Sequence, residues 1–259
     1  MILLECRNIC CSLGGVMALG GVDLTVRQGE ILGVIGPNGS GKTTLVNVVS
    51  GITPASAGTI AFRGASIAEL PSWKRTRLGI ARTFQMLRLF PEMSVVDNVM
   101  LPFHHRMRSG LLASVLGRAS ARQDDLETRK LALDLLHRFD LGGMAERPAG
   151  ELSIGQQRMV ELARGMIAEP QLFILDEPAA GLSPTNVERL IALLRNLRDQ
   201  HGITIVLVEH VMKVVRSVCD RIVVLEEGRK IADGNPDEVT NDPRVVDAYL
   251  GSGRVRRRA

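Results

Sequence analysis

Eight consecutive residues, Gly36-Pro37-Asn38-Gly39-Ser40-Gly41-Lys42-Thr43, constrain this chain more than any other part of its sequence. They fit the pattern G-x-x-x-x-G-K-[ST], directly after the apolar run ILGVI and before KTTLVNVVSG, a stretch of helical character that stops at Gly51. In that setting the glycines let backbone N–H groups converge, and the helix N-terminus adds a partial positive charge. Lys42 supplies a point charge to the outer phosphates of a nucleotide, Thr43 is suited to ligate Mg²⁺, and Thr44 completes the phosphate-binding set. The spacing therefore predicts a strand, a phosphate-wrapping loop and a helix in direct succession.

The rest of the chain is compatible with such a unit. The first 35 residues contain the strand-like runs ILLEC, VDLTV and ILGVIG, separated by Gly14-Gly15, Gly20-Gly21 and Gln28-Gly29, which suggests a small antiparallel sheet leading into a buried strand. Further on, the apolar runs LFILDE, ITIVLVEH and RIVVLEEG alternate with helical sequence such as NVERLIALLRNLRDQ. Fully apolar strands of this kind belong to a parallel sheet covered on both faces, so the fold class is α/β with a mainly parallel core sheet and an N-terminal antiparallel β subdomain. Between about residues 91 and 150 charges increase, and Leu131, Leu135, Leu136 and Phe139 recur at helical spacing, as in an inserted α-helical lobe. No internal repeat is visible. The expectation is one nucleotide domain over residues 1–259, with core and β subdomain in about 1–90 and 151–259 and a basic tail at 252–259.

Composition excludes several other classes. With one Trp, one Tyr and six Phe in 259 residues, the chain has little with which to stack bases, so no nucleic-acid partner is expected. The net charge of +4 is mild, and Arg254, Arg256, Arg257 and Arg258 read as a solvated tail. Four cysteines (Cys6, Cys10, Cys11, Cys219) form no C-x-x-C pair, and no His stands at zinc-finger spacing, so they read as reduced thiols. No uninterrupted apolar stretch approaches the roughly 20 residues that span a bilayer.

Two further sites carry chemistry. LFILDEP places Asp176 and Glu177 at the carboxyl end of a buried strand, where ligands gather in parallel sheets. Asp176 is suited to hold Mg²⁺ through water, and Glu177 to polarise an attacking water, a role worth ~10² to 10⁴ in rate. Ser153, three residues before Gln156, forms a capping box that opens the helix QQRMVELARGMI, and a helix N-terminus bearing Ser153 and Gly155 is also an anion site.

Leu152-Ser153-Ile154-Gly155-Gln156 resembles the LSGGQ signature of ABC ATPases, with Ile154 where the usual pattern has glycine. That resemblance implies a cassette that hydrolyses ATP as a dimer, Ser153, Gly155 and Gln156 of one subunit meeting the γ-phosphate bound by the other. It implies that Gln85, in GIARTFQ, is the loop glutamine that contacts Mg²⁺ and the attacking water. It implies equally that His210, closing ITIVLVEH, reaches the γ-phosphate and orients Glu177. Two positions depart from the family pattern. Leu13 stands where an aromatic usually stacks on adenine, and Ala180-Gly181-Leu182-Ser183 replaces S-A-L-D, so a carboxylate expected at the subunit interface is absent.

GIARTFQMLRLFPEMSVVDNV, SGLLASVLGRAS, LDEPAAGLSP and GNPDEVTNDPRVVDAYLG narrow the resemblance to the ATP-binding subunit of branched-chain amino-acid importers. Such a subunit works peripherally at the cytoplasmic face of the inner membrane, with two permease subunits, a second and different ATPase subunit and, indirectly, a periplasmic substrate-binding protein. Met86, Leu87, Leu89, Phe90 and Pro91 are candidates for the groove that receives a permease's coupling helix. The alternatives are the motor of an exporter of the lipopolysaccharide type and an ABC ATPase that acts outside transport.

Overall fold

The computed structural model of the protein describes residues 1–83, 87–102 and 119–254. They form two compact units, one of Met1–Arg82, Gln171–Ala180 and Val187–Ala259, the other of Thr83–Pro170 and Gly181–Asn186.

The first unit contains two sheets. Strands β1 (Ile2–Leu13) and β2 (Val16–Arg27) form an antiparallel hairpin, to which β4 (Ala57–Phe62) and β5 (Ala65–Ser66) add, giving the order β2-β1-β4-β5. Leu4, Cys6, Ile9 and Cys11 of β1 are buried while several of their neighbours face water, the alternation that a one-sided sheet requires. The second sheet, of order β10-β9-β3-β8-β7-β6, comprises β3 (Ile31–Ile35), β6 (Ile80–Arg82), β7 (Leu172–Asp176), β8 (Thr204–Val208), β9 (Arg221–Glu226) and β10 (Arg229–Gly234). All its pairs are parallel except β9–β10. Every residue of β3, β7 and β8 is buried, so apart from Thr204 at the start of β8 and Asp176 at the end of β7 these strands are apolar and do not alternate. Burial of one such Leu, Ile or Val side chain contributes about 1.5–3 kcal/mol, which makes these strands the anchor of the unit.

Parallel strands end on the same side, and here the carboxyl ends of β3, β6, β7 and β8 carry the glycine loop, Arg82, Asp176 and the Glu209-His210 pair. The helices of this unit include α1 (Lys42–Val49), α2 (Ser72–Arg77), most of α6 (Pro184–His201), α7 (Met212–Val218), α8 (Pro236–Thr240) and α9 (Pro243–Arg254). The carboxyl end of α1 is completed from outside its own sequence. Arg75, 2% exposed, donates to the carbonyls of Val48 (2.7 Å) and Val49 (2.8 Å), and also to Leu70 and Ala68. A helix leaves its last carbonyls without intrahelical donors, and one guanidinium supplies two of them here.

The second unit is helical, with α3 (Val95–Met100), α4 (Ala119–Arg138) and α5 (Ile154–Met166), and α5 packs on both α3 and α4. The helical region thus extends beyond the 91–150 segment read from sequence. The buried stripe of α4 also differs from the expected one. Ala132 and Leu136, followed by Phe139, are buried, whereas Leu131 is 47% exposed. Spacings of four and three residues starting from 132 place a small alanine against the neighbouring helices, and Leu131 falls one step off that line. Among the described residues, no helix is long and apolar enough to cross a membrane.

Candidate active site

The glycine loop between β3 and α1 closes on itself. The Lys42 ammonium, nearly buried, donates to the carbonyl oxygens of Gly36 and Pro37, each at 2.8 Å, and so holds the loop in a ring. Gly36 has φ +146°, and a Cβ there would lie 2.0 Å from the Leu225 carbonyl oxygen at the end of β9, so only glycine fits. The turn after β9 braces the loop from the other side: Gly228 donates its N–H to Ser40 O (3.0 Å) and accepts from Gly20 N–H (2.8 Å). Burial lowers the Lys42 pKa, while Glu177 and Asp176 act to raise it, which places both acids close enough to sense its charge. Thr43 is exposed and Thr44 half-buried at the start of α1, whose first turn has no acidic residue and no side-chain cap. A nearly buried cation beneath the exposed tip Asn38-Gly39, at the start of a helix, is what a polyphosphate requires.

Asp176, at the end of β7, is 2% exposed and ion-paired with Arg82 of β6, Nη2 to Oδ2 at 3.0 Å. The same guanidinium donates to Asn47 Oδ1 (2.6 Å) on α1 and to Ser50 Oγ (3.0 Å) at its C-cap. Arg82 therefore ties the phosphate-loop helix to the acidic strand end. Sequence reading missed it, although it stands three residues before Gln85 in GIARTFQ. The site also suits Mg²⁺ in one specific manner. Among the described residues no group of three or more His, Cys, Asp and Glu side chains could hold a metal by itself. Mg²⁺ keeps most of its waters and binds through one or two protein oxygens plus substrate phosphates, so a hydroxyl and a carboxylate such as those of Thr43 and Asp176 fit the share a protein would supply.

Glu177 follows with φ +51°, a left-handed conformation that costs a non-glycine residue about 1–3 kcal/mol. Two hydrogen bonds hold it there, from Glu177 N–H to Val208 O (2.9 Å) and from Ala180 N–H to Glu177 O (3.1 Å). The twist aims the carboxylate at His210, whose Nε2 donates to Glu177 Oε1 at 2.7 Å. Lys42, Asp176, Glu177 and His210 thus belong to one unit and converge at the strand ends.

Ser153, Gly155 and Gln156 lie in the other unit. The capping box is complete: Ser153 Oγ accepts from Gln156 N–H (3.4 Å), and Gln156 Oε1 accepts from Ser153 N–H (2.9 Å). A Cβ on Gly155 would lie 2.3 Å from Asn186 Nδ2, so this glycine admits the first turn of α6. Ser183, at the position lacking the expected carboxylate, accepts from Asn186 N–H at 3.4 Å and so caps α6. Leu13 is half exposed at the end of β1. Gln85 and Met86 lie outside the described residues. Phe90 and Pro91 are exposed, and buried Asn98 fixes Phe90 by accepting its N–H (2.8 Å) and donating to its carbonyl (3.0 Å).

A family model described as "ABC transporter" matches residues 19–180, across the glycine loop, the signature and both acids. The chain belongs to the ABC transporter family. It is an ATP-binding cassette and an ATPase. A second model, "Branched-chain amino acid ATP-binding cassette transporter", matches residues 229–255, which hold β10, α8 and α9. The cassette is similar to the high-affinity branched-chain amino acid transport ATP-binding protein BraF of Pseudomonas aeruginosa, at 40% identity over 249 residues that cover 96% of this chain and 98% of BraF. Among solved structures, the ADP conformation of an ABC transporter cassette matches with TM-score 0.85 and 32% identity over 97% of this chain and 99% of that one. A dimeric cassette in a post-hydrolysis state, bound to ADP and Pi, matches with TM-score 0.76 and 26% identity over 90% of this chain and 99% of the other.

Proposed function

We propose that this cassette energises an importer of branched-chain or related amino acids, with MgATP as fuel. The observation that carries the reading is end-to-end similarity to BraF together with the match of residues 229–255 to the branched-chain model. Neither favours the exporter or the non-transport alternative. In this reading the cassette sits peripherally at the cytoplasmic face of the membrane, with two permease subunits above it. A second, different ATPase subunit completes the ATP sandwich, and a periplasmic binding protein delivers the cargo. The exposed Phe90-Pro91 step supports a permease contact there.

Within the site, residues 36–44 wrap the phosphates and Lys42 neutralises their outer charge. Thr43, Asp176 and Gln85 would hold Mg²⁺, which supplies charge stabilisation to the β- and γ-phosphate oxygens. Glu177 takes the proton of the attacking water, and His210, hydrogen-bonded to it at 2.7 Å, keeps that carboxylate oriented. Ser153, Gly155 and Gln156 would close the site of the opposite subunit. The test is Glu177→Gln, which removes the base and keeps the shape. Hydrolysis should be lost while an ATP-bound dimer accumulates, as seen by size-exclusion chromatography with MgATP. Hydrolysis at the parent rate would show that Glu177 is not the base. Identification of the co-purifying membrane subunits tests the direction and cargo of transport separately.

A further inference from the structure

Beside the Glu177–His210 pair lies a third acid for which the hydrolytic reading has no role. Glu209, the first residue after β8, is 1% exposed. Its Oε1 accepts from Ala179 N–H at 2.7 Å, and its Oε2 accepts from His210 N–H at 2.9 Å and from Val211 N–H at 3.1 Å. An ionised carboxylate is costly to bury unless its oxygens are fully hydrogen-bonded, and three charge-assisted bonds from backbone N–H groups meet that requirement. An apolar residue would fill the same space without that demand.

The placement of the three donors indicates what the charge accomplishes. Ala179 lies two residues after Glu177 on the loop leaving β7, whereas His210 and Val211 lie on the loop leaving β8. The two strands are paired up to Asp176↔Val208, one further backbone bond runs from Glu177 N–H to Val208 O, and among the described residues the ladder goes no further. Glu209 spans the gap with one oxygen on each side. Glu177 sits in a costly left-handed conformation held by its own bonds to Val208 and Ala180, and Glu209 adds a further anchor two residues along the same loop.

We infer that Glu209 is a positioning residue for ATP hydrolysis, a staple between the two loops that keeps His210 Nε2 within hydrogen-bond distance of Glu177 Oε1. The inference rests on the reading of Glu177 and His210 as the hydrolytic pair. Both Glu209 oxygens are taken by backbone N–H groups of this chain, so it acts through the geometry of its neighbours.

The experiment compares the full chain, in complex with its membrane subunits, as parent, Glu209→Ala, Glu209→Gln, His210→Ala and the Glu209→Ala/His210→Ala double variant. Single-turnover hydrolysis, ATP binding measured without hydrolysis, and thermal unfolding are read for each. Because a misplacement of about 1 Å costs ~10²-fold in rate, Glu209→Ala should lose on the order of 10²-fold in the single-turnover rate while ATP affinity stays within about threefold. Glu209→Gln keeps the shape and one acceptor oxygen and should recover part of the rate. In the His210→Ala background Glu209→Ala should cost little more, because the group it positions is already gone. Glu209→Ala at the parent rate beside a crippled His210→Ala overturns the inference, as do losses that simply multiply in the double variant or a parallel loss of ATP affinity. His210→Ala at the parent rate instead overturns the hydrolytic pair, and the inference with it. Should Glu209→Ala not fold, Glu209→Gln alone and with His210→Ala provides the same comparison.

Discussion

Arg82→Met probes the link between the phosphate-loop helix and the acidic strand end. Methionine retains most of the aliphatic volume and removes the charge. The pair it breaks has side chains 7% and 2% exposed and a 3.0 Å contact, and the guanidinium also gives up its bonds to Asn47 and Ser50. Removal of one partner from a buried pair costs about 3–5 kcal/mol, because the Asp176 carboxylate remains buried without this cation. At about 2–4 °C per kcal/mol for a chain of this length, the melting temperature should fall by roughly 6–20 °C. The assay is thermal and urea unfolding in nucleotide-free buffer, followed by the same measurements on Arg82→Met/Asp176→Asn. Neutralising the carboxylate should return much of the loss, a coupling of about 0.5–3 kcal/mol between the two sites. A melting temperature within about 2 °C of the parent, or a double variant that loses the sum of the two single costs, would refute the argument that burial makes this pair interdependent.

Gly36→Ala should abolish ATP binding in a fluorescence titration, since its Cβ would stand 2.0 Å from a backbone oxygen. Gly39→Ala, with no atom within 4 Å, should pay only about 1–2 kcal/mol for its positive φ and still fold. Arg75→Met removes four donations to carbonyls at the end of α1 and among their neighbours, and should lower urea stability by about 2–4 kcal/mol, with Arg75→Lys recovering little because an ammonium lacks the planar fork. Burial pushes the Cys6 thiol up to about 12 from 9.0 and also raises Cys219, so their thiolate forms are suppressed near pH 8. A thiol reagent at that pH should modify these two only after denaturation, and rapid modification in the native state would contradict their burial.

Much of this cassette was legible locally. The glycine loop, the capping box of Ser153 and Gln156, and the strand-end acids all depend on spacings of a few residues, where geometry follows directly from sequence. The apolar runs of β3, β7 and β8 indicated a parallel sheet because full burial leaves no alternation. Of the α4 stripe, Leu136 and Phe139 are buried as read, whereas Leu131 is exposed and Ala132 takes its place, since apolar residues at 131, 132, 135 and 136 satisfy two helical faces and only packing selects between them.

What the sequence determined by itself was which groups stand at each strand end: a glycine loop with Lys42, acids at 176 and 177, a histidine at 210. What only the tertiary structure decided was what holds these groups in place. Arg82 reaches Asp176 across 94 residues, Glu209 reaches Ala179 across 30, and Arg75 closes a helix 26 residues before it. The partners of Arg82 and Glu209 are set by strand order, and those of Arg75 by the packing of α2 against the end of α1, neither of which any local spacing encodes.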